Sequence, residues 1–155
     1  MRALGLALVL CAALGGRARA DRAAYVGSAA CGACHAAELA AWQASAHARA
    51  GQAVVRAPRR CLACHGTGDA PAGAAYWAEV GCEACHGPGA AYAADDLMRD
   101  RGLVRRLGLR DLAAPAGRAA VCAGCHRDGA GTRLMPLTPA ELARPVHPVT
   151  ARVQP

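Results

Sequence analysis

Phenylalanine and lysine are both absent from this 155-residue chain, which has only two tryptophans and three tyrosines. Its 54% hydrophobic content is largely alanine. A polypeptide so poor in large side chains buries too little apolar surface to fold alone, so something other than side chains must supply the core. Without lysine, every permanent positive side-chain charge is arginine, and lysine-based catalysis is excluded. The apolar run from Ala3 to Leu14 is about twelve residues, short of the roughly 20 that a membrane-spanning helix needs. It argues against a stable membrane anchor.

That run follows Met1-Arg2 and precedes Ala18-Arg19-Ala20, the pattern of a cleavable secretory signal peptide over residues 1–20. Cys11 would leave with it; as a lipid-attachment site it is disfavoured by Leu10, where a small residue is wanted. The mature chain then begins at Asp21, and residues 21–155 form one domain with no inter-domain linker. The expected location is the bacterial periplasm.

Four times the chain repeats Cys-x-x-Cys-His: Cys31, Cys34 and His35; Cys61, Cys64 and His65; Cys82, Cys85 and His86; Cys122, Cys125 and His126. This motif attaches a c-type haem. Each thiol adds to one vinyl group, and the histidine supplies the proximal nitrogen to iron. Zinc is the main rival, since two Cys-x-x-Cys pairs can wrap one ion, and a disulfide framework is another. Neither explains a histidine directly after all four pairs when the chain has six in all. Export favours haem as well. The expected cofactors are four covalently bound haem c groups, which also supply the missing core.

Haem changes the reading of charge. Arg2, Arg17 and Arg19 leave with the leader, so 15 of the 18 basic residues face 11 acids. The haem propionates offset this excess, for which planar guanidinium groups are suitable partners. The basic composition is therefore no sign of nucleic-acid binding. The expected partners are redox proteins, as donor and acceptor, with a homo-oligomer or an oxidoreductase complex also open.

The coarse pattern is mainly α with extensive coil and little or no β. A helix is expected over 36–50, stopped by Gly51, and a short one over 74–80. Gly66 to Gly73 reads as a loop and Gly87-Pro88-Gly89 as a turn. An amphipathic helix is expected over 95–112, broken near Gly102 or Gly108. Thr138-Pro139-Ala140-Glu141 is a capping-box start, and Pro145 ends that helix. The motifs are spaced by 30, 21 and 40 residues, so they repeat without a fixed structural unit.

Four irons have eight axial positions, and the motif histidines fill four. Only His47 and His147 remain as further histidine ligands. His47 follows His35 by twelve residues, about 18 Å along a helix, so it belongs to a different haem. The other two irons must take Met98, Met135, Tyr92, water or nothing. Thioether ligation would raise the potential, and apolar packing is the alternative role of both methionines. An open iron could bind a small ligand such as NO or CO.

The chain resembles the multihaem cytochromes of the cytochrome c-554 family. The resemblance rests on Tyr25-Val26-Gly27-Ser28, on 42–48, on 61–68, on 81–89 and on His147-Pro148. It implies a small helical, haem-packed fold with closely stacked haem pairs, periplasmic electron transfer, His47 and His147 as distal ligands, and one five-coordinate haem. Where that family has a further distal histidine, this chain has Tyr92, so that ligand does not carry over. The function expected is a tetrahaem electron carrier rather than an enzyme. The alternatives are an enzyme reducing a small nitrogen oxide at an open haem, with Tyr92 or Arg99 as possible participants, and a gas-binding sensor.

Overall fold

In the computed structural model, residues 24–54, 56, 59–68, 78–126 and 137–147 are described. The expected signal peptide, Met135 and most of the stretch 74–80 lie outside them. Among the described residues there are helices and connecting coil, and no strand. In chain order the α-helices are α1 (Ser28–Gly32), α2 (Ala36–Gln43), α3 (Arg59–His65), α4 (Cys82–His86), α5 (Asp95–Met98), α6 (Arg101–Arg106), α7 (Pro115–Cys122) and α8 (Pro139–Ala143). A 3-10 helix spans His47–Val54 between α2 and α3.

The side-chain core is very small. Trp42, Tyr92 and Val104 are the buried hydrophobic residues among those described. Polar anchors do much of the holding instead. The Trp42 indole donates to the Val80 carbonyl at 2.9 Å, and Val80 N donates to the His47 carbonyl at 3.2 Å. The Thr67 hydroxyl donates to the Glu79 carbonyl at 2.6 Å and accepts from Gly81 N at 2.9 Å. Ser28 Oγ donates to the Glu79 carboxylate at 2.8 Å and accepts from Cys82 N at 3.3 Å. These bonds gather segments flanking the first and second motifs around the start of the third, at residues 79–82.

Two expected helices differ in detail. The helix over 36–50 divides: α2 ends at Gln43, and the 3-10 helix takes over from His47. The division lets Gly51 press against the backbone of Ala78, where a Cβ would overlap the Ala78 carbonyl. A long 3-10 run is uncommon, and this one is tied down by the bond from Val80. The helix over 95–112 breaks at Asp100, two residues before Gly102, and ends ahead of Gly108. The Asp100 side chain accepts from Leu103 N at 2.9 Å and so starts a new helix. Gly102 lies inside α6, and Gly108, with φ +112°, follows its end. The capping box at Thr138 and Glu141 forms as expected.

Candidate haem-binding site

Each motif sits on or beside a helical turn. The third is α4 itself, and the second closes α3. In the first and fourth, the histidine amide donates to the carbonyl of the first cysteine: His35 to Cys31 at 3.0 Å and His126 to Cys122 at 2.8 Å. One turn thus carries two thiols and an imidazole, the donor set that a covalently tethered haem requires.

The motifs meet out of sequence order. The Cys31 and Cys82 thiols are neighbours, and their interaction pushes Cys31 up and holds Cys82 down, at about 6. Cys85 is pushed up by burial and by its neighbour Cys122. Cys125 Sγ lies 3.9 Å from the Ala63 carbonyl, inside the second motif. The spatial line is therefore first, third, fourth, second. Among the described residues no three or more Cys, His, Asp or Glu converge on a point that could hold one metal ion, so the thiols do not form the quartets a structural zinc demands.

The histidines carry the most information. His65 Nδ1 is 2.8 Å from the Ala50 carbonyl, and His86 Nδ1 is 3.2 Å from the Arg110 carbonyl. A carbonyl only accepts, so Nδ1 carries the proton and Nε2 keeps the lone pair that a metal uses. Burial lowers the pKa of His86 and of His47, favouring the neutral ligand form. His126 Nδ1 is buried without a hydrogen-bond partner.

Both spare histidines face a motif histidine. His47 and His126 have ring centroids 6.1 Å apart at 85°, and His86 and His147 are 6.1 Å apart at 34°. With metal–nitrogen bonds of about 2 Å and roughly 1 Å more to each ring centre, two imidazoles on opposite sides of one metal have centroids about 6 Å apart. The residues present therefore fit haem iron at two sites. For His35 and His65 no such partner ring is found among the described residues.

The weaker candidates are placed differently. Tyr92 is 5% exposed, and its hydroxyl donates to the Gly87 carbonyl at 2.6 Å, with the His86 carbonyl at 3.2 Å. Burial, and then the charge of Glu83, push its phenol up, so it remains a protonated core residue tying down the Gly87 turn. Met98 is half-buried on α5.

Residues 30–87, which take in the first three motifs, match the family model of cytochrome c554 and c-prime. This segment belongs to the cytochrome c554 family. No curated protein and no solved structure matches the chain. The cytochrome is thus a haem c electron-transfer protein, and no helix among the described residues is long and apolar enough to cross a membrane. Sequence reasoning missed Glu83, which is 4% exposed and takes three backbone amides. The available signal was a charged residue between two motif cysteines, just ahead of Gly-Pro-Gly.

Proposed function

We propose that the cytochrome is an exported, periplasmic tetrahaem electron carrier, made of residues 21–155, that passes electrons between redox partner proteins. Haem supplies reversible one-electron chemistry at iron. The chain tethers it at Cys31 and Cys34, Cys61 and Cys64, Cys82 and Cys85, and Cys122 and Cys125. His35, His65, His86 and His126 are the proximal ligands. His47 serves as the distal ligand opposite His126, and His147 opposite His86. The observation that carries this reading is that each spare histidine pairs with a different motif histidine at one spacing suited to iron. Six-coordinate, partly buried iron changes little in structure between oxidation states, as a carrier requires.

Neither residue named for the reductase alternative is poised for it. Tyr92 spends its proton on backbone carbonyls, and Arg99 is paired with Asp95 at 2.7 Å on the surface. CO titration of the reduced protein tests the ligand set. We expect the purified protein to be red, with the mass of the processed chain plus four haems, and CO to bind no more than two of them. Colourless protein would end the reading. Four CO-reactive haems would remove His47 and His147 as ligands.

A further inference from the structure

Glu83 has no part in tethering or ligation, yet it is the sole acidic or basic residue at any x position of the four motifs. It is 4% exposed. Its Oε1 accepts from Val26 N at 2.9 Å and Gly89 N at 2.6 Å, and its Oε2 accepts from Gly27 N at 2.8 Å. None of these partners carries a full charge. A carboxylate so held is a fixed negative charge in a low-dielectric setting, where its field reaches far. The charge lies between Cys82 and Cys85 in sequence. It is also linked to Cys31 through a single residue, because Gly27 donates to Glu83 through its N–H and accepts from Cys31 Sγ at 3.6 Å through its carbonyl.

Given the haem attachment argued above, on which this rests, we propose that Glu83 is an electrostatic bias that lowers the reduction potentials of the haems tethered at Cys31 and Cys82. Reduction adds one electron to ferric iron and makes or breaks no bond. A nearby negative charge stabilises the more positive ferric state and so disfavours that electron. The second and fourth motifs carry neutral pairs, Leu62-Ala63 and Ala123-Gly124, so the bias falls most strongly on the first and third. Electrons are therefore pushed along the line of motifs, away from the first and third and toward the fourth and second.

Spectroelectrochemical titration of the holoprotein tests this. Glu83→Gln should raise two of the four midpoints, each by a roughly tenfold change in the reduction equilibrium, about 59 mV for one electron. Glu83→Asp keeps the charge while disturbing the same hydrogen bonds, and should leave the midpoints near wild type. Unmoved midpoints in Glu83→Gln, or equal shifts in both variants, would overturn the proposal, the latter by showing a purely structural role. If Glu83→Gln does not mature, Leu62→Glu carries the test. It places a carboxylate at the matching position of the second motif and must lower one midpoint; no shift there would also overturn the proposal. Wild-type protein without haem would defeat the attachment reading instead, and would be recognised by its lack of colour.

Discussion

A histidine next to a cysteine pair announces itself, but the partner it faces does not. The four motif histidines could be read from spacing alone, because one helical turn fixes their place beside the thiols. His47 and His147 stood out in the sequence only as the two histidines outside the motifs. Which ring each would meet depends on contacts between residues far apart in sequence, such as His47 with His126, and no local pattern encodes those. The pairing yields a direct expectation. His47→Ala should leave the iron held by His126 with one protein ligand, giving one additional high-spin ferric signal by EPR and one additional CO-reactive haem. His147→Ala should do the same for the iron held by His86, and the double variant should show both changes. A variant that leaves spectrum and CO uptake unaltered removes that histidine from the coordination sphere.

Short helices were legible where local chemistry sets their ends and less so where packing does. Thr138 and Glu141 form their reciprocal cap because both partners lie within four residues. The expected breaks near Gly102 and Gly108 both find a counterpart, at Asp100, whose side chain reaches Leu103 N, and at Gly108, which follows the helix end; the capping role of Asp100 could have been read in the same way. The change to a 3-10 helix at His47 had no such local sign. It follows from the approach of Gly51 to Ala78, a residue reached only through the fold. Gly51→Ala should therefore cost about 1–3 kcal/mol, as an overpacked contact does, and lower the melting temperature by several degrees. Because His47 opens this helix, the same variant should weaken low-spin character at the His126 iron. Unchanged melting and spectrum would mean that the segment yields without strain.

At the scale of the whole molecule, a composition poor in large side chains is matched by a sparse side-chain core among the described residues. A chain without phenylalanine and with five large aromatics in all has a buried apolar set of Trp42, Tyr92 and Val104 among its described residues. That set falls far short of what a domain of this length needs, so the polypeptide without haem should be largely unfolded. Circular dichroism of a preparation whose motif cysteines are replaced by serine would show weak helicity and no cooperative melt. A sharp thermal transition in that preparation would mean that the polar anchors around Glu79, Thr67 and Ser28 suffice by themselves.

The line of motifs also bears on how the chain matures. Glu83 holds Val26 across 57 residues of sequence, so nothing can lock the first motif into place until the third has been made. A chain emerging from its N-terminus would present Cys31, Cys34, Cys61 and Cys64 on slack polypeptide during that interval. On the proposed reading, that delay would leave the earliest thiols accessible for haem attachment before the third motif closes over the first.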